Sequence, residues 1–186
     1  EVVDNYLFVV GETEKGGGQR GGIFLVYDIA DPDEPQLKAS AETGTRAATQ
    51  IRYRDIEVKK MNSQYYIYAL SVLADGTTML DYTSYVARQT TANSILISGA
   101  GCNCYGISLR GDYLGILYKD TSSNLNLTIF NVSTGTPNNL QNGTVVQGFT
   151  GIRAAEAAYS EGFLVAVAGE LYRVYLSGGN WIAEKF

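Results

Sequence analysis

The densest group of acidic side chains follows one apolar run and consists of Asp28, Asp31, Asp33 and Glu34. Such a group could bind a metal ion. Calcium prefers about six to eight oxygen ligands, and clustered carboxylates in a turn can provide several of them. The spacing lacks the glycine and the last glutamate of an EF-hand loop. The same residues, with Pro32 among them, also suit an ordinary turn. Two interpretations therefore stay open, a calcium site and a turn.

The two cysteines of the chain, Cys102 and Cys104, form a Cys-x-Cys pair. A structural zinc ion needs about four ligands, and the chain has no histidine to supplement the pair. Alternate residues of an extended strand lie near the ~7 Å limit for Cα atoms joined by a disulfide, so a local bridge needs a bend. Nearby glycines permit that bend. The sequence favours a local or intermolecular disulfide, with buried thiols as the other interpretation.

Three asparagines stand in Asn-x-Ser/Thr motifs, at Asn126, Asn131 and Asn142. N-glycans would require surface positions in a secreted protein, so these motifs favour an extracellular or cell-surface location. Asn142 is followed by glycine, which is also a signal for a type I′ turn. A turn alone would therefore account for Asn142 at this position, without glycosylation.

A glycine-rich segment occupies residues 12–22 and resembles phosphate-binding loops in composition. Such loops bind phosphate where they lead from a strand into the N-terminus of a helix. Here the segment leads into another strand-like run, and the Walker spacing is absent. The sequence predicts a long, mobile hairpin tip.

Charge and hydropathy exclude two classes of partner. The net charge is −5, whereas nucleic-acid binding needs clustered lysine and arginine on one face. No apolar run approaches the ~20 residues that span a bilayer, so we expect no membrane insertion within this segment. The chain starts at Glu1 within an incomplete strand, which favours a piece of a longer chain as its origin.

The apolar runs are short and rich in aromatic and β-branched residues, which predicts strands. Residues 23–29 form one such run, and Asp31-Pro32 ends it. Residues 6–10 predict the preceding strand of a hairpin, and residues 36–41 predict the following one.

This arrangement recurs along the chain. Four aromatic-led runs, each after a turn, begin at Tyr6, Tyr65, Tyr113 and Phe163. A second set of runs, residues 25–28, 78–81, 128–131 and 173–176, follows them. Short segments precede the later three aromatic runs, at residues 56–59, 107–110 and 157–160. A repeat of four strands over about forty to fifty residues is typical of a propeller blade.

Residues 6–40 resemble a blade of the LVIVD-type β-propeller repeats, because an apolar run, Asp28 and an Asp-Pro turn follow one another. The resemblance implies an all-β propeller of four-stranded antiparallel blades. The approximate blades are residues 1–43, 44–92, 93–150 and 151–186. The sequence leaves open a closed four-bladed ring and an arc of a larger propeller, and the incomplete start favours the arc. An unrepeated β-sandwich is the alternative.

Three functions are compatible with this organisation. The first is a secreted or cell-surface binding and scaffolding module that binds a protein or glycan partner, with neither catalysis nor a cofactor of its own. The second is a propeller hydrolase or lyase with carboxylates at the channel mouth. It lacks support from histidine, the commonest general base, which is absent. The third is a structural subunit of an extracellular assembly. We favour the first and name no catalytic residues.

Overall fold

Strands account for the regular secondary structure in the computed structural model of the chain. The structure describes residues 1–46, 50–85, 92–139, 154–159, 162–167 and 169–186, and only the backbone of 139 and 154–159. These residues form four antiparallel sheets, and in each sheet the four strands lie in the order in which they occur along the chain. The expected all-β class is therefore confirmed.

Each sheet is built from four consecutive strands. Sheet 1 contains β1 (Val2–Val3), β2 (Tyr6–Glu14), β3 (Arg20–Asp28) and β4 (Gln36–Glu42). Sheet 2 contains β5 (Ile51–Met61), β6 (Gln64–Leu73), β7 (Thr78–Tyr85) and β8 (Asn93–Ser98). Sheet 3 contains β9 (Asn103–Arg110), β10 (Tyr113–Lys119), β11 (Leu125–Asn131) and β12 (Asn138–Asn139). Sheet 4 contains β13 (Ala154–Tyr159), β14 (Gly162–Val167), β15 (Glu170–Ser177) and β16 (Asn180–Lys185).

The four aromatic-led runs lie in the second strands, β2, β6, β10 and β14. Two details differ from the sequence expectation. Sheet 2 continues to Ser98, past the expected boundary at residue 92, because β8 pairs with β7. The glycine-rich segment is mostly strand, since the ladder between β2 and β3 runs out to Glu14 and Arg20. Its loop is short, and the Lys15 amide donates to the Gln19 carbonyl at 3.0 Å.

The chain divides into two units, residues 1–100 with sheets 1 and 2 and residues 101–186 with sheets 3 and 4. Each unit contains its own hydrophobic core between its two sheets. The core of the first unit includes Phe8, Phe24 and Ile67. The core of the second unit includes Leu127, Phe163 and Val165. Each such buried side chain stabilises the fold by about 1.5–3 kcal/mol through removal of apolar surface from water.

The register of the first hairpin defines two faces in every sheet. In every sheet, two residues separate the paired ends of the first and second strands, and the second strand begins at Tyr6, Gln64, Tyr113 or Gly162. We call the side that carries the first, third and fifth residues of the second strand the odd face, and the side that carries the second, fourth and sixth the even face. The equal spacing and the alternation of side chains make these faces equivalent between sheets.

Unlike faces meet in both units. In the first unit, Tyr6, Phe8 and Val10 on the odd face of sheet 1 pack with residues on the even face of sheet 2, which are Tyr65, Ile67 and Ala69. In the second unit, Tyr113 and Leu117 on the odd face of sheet 3 pack with residues on the even face of sheet 4, which are Phe163, Val165 and Val167. The same odd-on-even arrangement is therefore used twice.

The remaining faces fall into two classes. The odd face of sheet 2 is buried, with Tyr68 and Leu70 inaccessible, and so is the even face of sheet 3, with Leu114 and Ile116. The even face of sheet 1 and the odd face of sheet 4 are partly exposed. Sheets 2 and 3 thus bury both faces, whereas sheets 1 and 4 bury one.

Candidate functional site

A charged cluster is buried in the first unit, and Asp81 is its centre. This residue lies in the middle of β7, opposite Ala69 on one side and Ser94 on the other. Its side chain has no exposed surface. An ionised carboxylate is stable in such a place only when hydrogen-bond donors and a positive charge replace the water that it has lost.

Four side chains supply those hydrogen bonds. Tyr53 Oη and Ser71 Oγ donate to Asp81 Oδ2 at 2.8 and 2.9 Å. Ser94 Oγ donates to Oδ1 at 2.7 Å, and the Arg46 guanidinium donates to the same oxygen. A carboxylate has about four lone-pair sites, so these donors occupy its accepting capacity.

Arg46 reaches this cluster from the connection that follows sheet 1. Its backbone amide donates to the carbonyl of Arg20 at 2.9 Å, which fixes the connection beside β3. The guanidinium also donates to Ser71 Oγ at 3.1 Å and to Ser94 Oγ at 2.7 Å. Only 10% of the Arg46 side chain is exposed, and the pair with Asp81 is therefore largely screened from water.

Gly22 gives Tyr53 the room to reach Asp81. A Cβ atom on Gly22 would lie 1.9 Å from Tyr53 Oη, so only glycine fits beside this phenol. The Gly22 amide donates to Thr43 Oγ1 at 2.7 Å. Burial, followed by the negative charge of Asp81, raises the pKa of Tyr53. The phenol is therefore neutral and serves as a donor.

The geometry assigns a positioning role to this cluster. The Asp81 oxygens already accept four hydrogen bonds, so the carboxylate has no free site for a substrate proton. Tyr53, Ser71 and Ser94 tie Asp81 to the other three strands of sheet 2, and Arg46 links it to the connection after β4. Because the Arg46 amide is bonded to Arg20 of β3, the cluster fixes that connection between the two sheets of the first unit.

A second cluster lies on the partly exposed odd face of sheet 4, and Arg173 is at its centre. Its Nε and Nη2 atoms donate to Glu184 Oε2 at 3.0 and 2.7 Å. The guanidinium lies 5.0 Å from the ring centroid of Tyr175 and 5.9 Å from that of Phe186. Ile182 lies on the same face, because it pairs with Tyr175 in the ladder of β15 and β16.

This second cluster has the composition of a protein-binding surface. Aromatic residues and arginine are enriched at interfaces. Phe186 is 68% exposed, and Leu171 and Ile182 are also exposed. The charge of Arg173 is already balanced by Glu184, so a partner can cover the face without burying an unpaired ion.

The four acidic residues of the predicted calcium site lie at the end of β3 and in the following turn. Asp28 Oδ1 accepts from the Ala30 amide at 3.0 Å, and Asp31 Oδ1 accepts from the Asp33 amide at 3.1 Å. Asp28 also lies 3.5 Å from Lys38 Nζ. Among the described residues, no group of three or more His, Cys, Asp or Glu is placed to hold a metal ion. Calcium binding by Asp28, Asp31, Asp33 and Glu34 stays a prediction.

The cysteines are both thiols in the structure, with Cys102 buried before β9 and Cys104 partly buried within it. The ladder contains a bulge at this point, between the pairings of Leu117 and Tyr118. A disulfide between the two cysteines stays a prediction.

The predicted glycosylation sites differ in their surroundings. Asn126 is buried, and its Nδ2 donates to Asp120 Oδ2 at 3.2 Å and to the Asn124 carbonyl at 3.0 Å. Asn131 is half-buried at the end of β11, and its Oδ1 accepts a hydrogen bond from the Ser133 amide at 2.8 Å. Asn142 lies outside the described residues.

Sequence reasoning did not identify Arg46 and Asp81 as partners. The available signal was an acidic residue within the strand-like run 78–81, which was matched to Asp28 at the end of β3. The register contradicts that match, because Tyr6 faces Asp28 whereas Asp81 faces Ala69 in the interior of its ladder. An acidic residue inside a buried strand requires a buried cation, and that requirement is the signal that was missed.

In comparisons with known proteins, no family model, curated protein or solved structure matches the chain. In the part of the chain that the structure describes, no helix is long and apolar enough to cross a membrane.

Proposed function

We propose that the four sheets are successive blades of a β-propeller, arranged as an arc of a larger ring. Rotation about a common axis brings unlike faces of neighbouring blades together, and odd-on-even packing within each unit fits that symmetry.

Small-angle X-ray scattering tests the arc. Four blades that pack as one body of this length have a radius of gyration of roughly 16 Å. We expect this value at low protein concentration. A clearly larger value for a monomer would mean that the two units do not pack together, and it would contradict the arc.

The proposed biochemical role is that of a secreted or cell-surface module that binds a protein or glycan partner. The observation that carries this proposal is the partly exposed surface of sheet 4 on which the Arg173 guanidinium lies against the rings of Tyr175 and Phe186. Tyrosine rings suit both kinds of partner because they combine area with a hydroxyl. The buried carboxylate Asp81 is occupied by structural hydrogen bonds, which fits a role in the scaffold.

An array of defined oligosaccharides tests the glycan partner. We expect any specific saccharide bound by the wild-type chain to be lost when Tyr175 and Phe186 are both replaced by alanine. The matched control is Tyr27→Ala, which removes a half-buried tyrosine from sheet 1. Saccharide binding that survives the double substitution would assign the site elsewhere.

Mass spectrometry of protein secreted from eukaryotic cells tests the location. We expect a glycan on Asn131, whose Nδ2 is the atom that carries the sugar, and none on the buried Asn126. A chain that is secreted without a glycan at any Asn-x-Ser/Thr motif would remove this support for an extracellular location.

A structural subunit of an extracellular assembly is the second candidate. It is favoured by a specific observation, which is the presence of apolar exposed faces on both sheet 1 and sheet 4.

A further inference from the structure

The first and last sheets each leave one apolar face partly exposed. On the even face of sheet 1, Val2 and Leu37 are 55% exposed and Val9 is 38% exposed. Leu25 and Tyr27 lie beside them, because Leu25 pairs with Val9 and Tyr27 pairs with Leu37. The odd face of sheet 4 carries Leu171, Ile182 and Phe186. These two surfaces are called here the first end face and the last end face.

The two end faces differ in kind, because the first is an even face and the last is an odd face. Within each unit an odd face packs on an even face, and neither unit pairs two faces of the same kind. The last end face is odd, so the partner that this packing specifies for it is an even face. The first end face is even and is exposed, and it therefore offers the required partner surface.

Charge does not oppose contact between these faces. Arg173 on the last end face is paired with Glu184, and on sheet 1 Lys15 is paired with Glu42. Lys38 lies 3.5 Å from Asp28 beside the first end face. These pairs balance the charges of Arg173, Glu42 and Asp28, so burial of the apolar residues beside them does not leave those ions unpaired.

We propose that the last end face of one copy of this chain binds the first end face of a second copy. The contact is head-to-tail, since each copy contributes a different surface. Such a contact either closes after a small number of copies or continues as a chain of copies. The inference extends the assembly candidate given above, and it rests on the packing within each unit rather than on the propeller ring.

Analytical ultracentrifugation tests the proposal with two single variants. Val9→Lys places a charge on the first end face, and Ile182→Lys places one on the last. We expect the wild-type chain to associate as its concentration rises. Each variant alone lowers the association constant by at least about tenfold, because one of the two required surfaces is lost.

Mixing the two variants gives the decisive measurement. The Val9→Lys chain retains an intact last end face, and the Ile182→Lys chain retains an intact first end face. We expect the mixture to form a one-to-one complex and to stop there. A like-on-like contact would instead let one of the variants associate by itself, and that outcome would overturn the proposal.

Two further results would also overturn it: a wild-type chain that stays monomeric at every concentration, and a mixture that forms no complex. Leu96→Lys is the matched control, because Leu96 is 61% exposed on β8 of sheet 2 and belongs to neither end face, and this variant should associate like wild type. Should either variant fail to fold by circular dichroism, Leu37→Lys and Phe186→Lys replace the pair.

Failure of this proposal and failure of the propeller are distinguishable. Scattering from the monomeric Val9→Lys chain reports on the arrangement of blades without contact between copies. Sedimentation of the wild-type chain reports on that contact alone. Added salt should strengthen the association modestly, because it screens the repulsion between copies of net charge −5.

Discussion

The two units have the same pair of four-stranded sheets but stabilise the space between those sheets differently. In the first unit, an aromatic and aliphatic core is accompanied by the buried ion pair of Arg46 and Asp81. In the second unit, the described core is built from aliphatic side chains and aromatic rings, including Trp181, which packs 5.1 Å from Tyr113.

This difference teaches how one packing arrangement can be specified in two ways. Apolar contacts tolerate small shifts and repacking, whereas a carboxylate with four donors requires each donor at its place. The first unit therefore has a stricter geometric requirement between its sheets. It also has a larger penalty for the loss of a single charged group.

The largest expected effect is that of Asp81→Ala. This substitution leaves the Arg46 guanidinium buried without its carboxylate, and we expect the free energy of unfolding of residues 1–100 to fall by about 3–5 kcal/mol. Hydrogen exchange of the β6 and β7 amides in urea measures the change.

The control for Asp81→Ala is Asp33→Ala, since Asp33 is an exposed aspartate in the same unit. Replacing both Arg46 by methionine and Asp81 by leucine should recover most of the loss, because no unpaired charge is then buried. A cost below about 1 kcal/mol for Asp81→Ala would show that the cluster contributes little to stability.

Leu127→Ala makes the corresponding change in the second unit. Leu127 is fully buried between sheets 3 and 4, and its truncation should cost about 3 kcal/mol of unfolding free energy. Trp181 is the single tryptophan of the chain and lies in this core, so its fluorescence reports the unfolding of residues 101–186.

The same fluorescence sharpens the comparison between units. Asp81→Ala should move the Trp181 transition less than Leu127→Ala does, because Asp81 lies in the first unit and Leu127 and Trp181 lie in the core of the second. Leu171→Ala, at a site 42% exposed, is the control with a small expected effect. Equal shifts of the tryptophan transition in Asp81→Ala and Leu127→Ala would mean that the units unfold as one.

Gly22→Ala should have an intermediate effect, about 1–3 kcal/mol of destabilisation. The added Cβ would displace the Tyr53 hydroxyl from its hydrogen bond with Asp81. Gly44→Ala is the matched control, because a Cβ there meets nothing within 4 Å.

Denaturation of the Gly22→Ala variant in a Tyr53→Phe background separates the clash with the Tyr53 hydroxyl from any other effect of the added Cβ. The nearest ring atom is then Tyr53 Cζ at 3.1 Å from the new Cβ, so the penalty should be smaller than in the wild-type background. An equal penalty in both backgrounds would place its origin outside the contact with Tyr53.

The smallest effect concerns an exposed ion pair of the first unit. Asp4 accepts a hydrogen bond from Lys60 Nζ at 2.7 Å and another from the Tyr65 hydroxyl, and these contacts hold the pKa of Asp4 below its usual value. A lowered carboxyl pKa contributes stability above the pKa of the unfolded state. That contribution is lost as the pH falls through the pKa of the folded state.

Carbon-detected NMR measures the titration of Asp4 directly. We expect a pKa below the ordinary aspartate value in the wild-type chain and a higher pKa in Lys60→Met. Titration of wild-type Asp4 at or above the ordinary value would contradict the contact. Screening by water makes this pair far weaker than the buried pair of Arg46 and Asp81.

The strands were accessible from the sequence because their signals are local. A turn followed by an aromatic and β-branched run predicts β2, β6, β10 and β14, and each of these strands is present. The face of each run was not accessible in this way. Tyr65 is the same residue type as Tyr6, but Gln64 is the residue that follows the turn and therefore corresponds to Tyr6 in the structure. A shift of one residue along a strand exchanges the two faces.

The candidate site was less accessible, because its parts lie far apart in the sequence. Arg46 comes from a connection and Asp81 from a strand of the next sheet, and no local pattern joins them. The acidic residues around Asp31 were predicted to bind calcium because they lie close together in the sequence. In the structure, Asp28 and Asp31 accept hydrogen bonds from backbone amides of their own turn, a use that sequence density does not distinguish from metal ligation.

The two-residue spacing before each second strand has a consequence for how such a chain could lengthen. Because this spacing gives every sheet one odd and one even surface, duplication of a segment that encodes one sheet adds a sheet with the same two surfaces. Loss or gain of one residue at such a position exchanges the two surfaces of the new sheet. The number of residues at this position is therefore a heritable constraint under which the repeat can multiply.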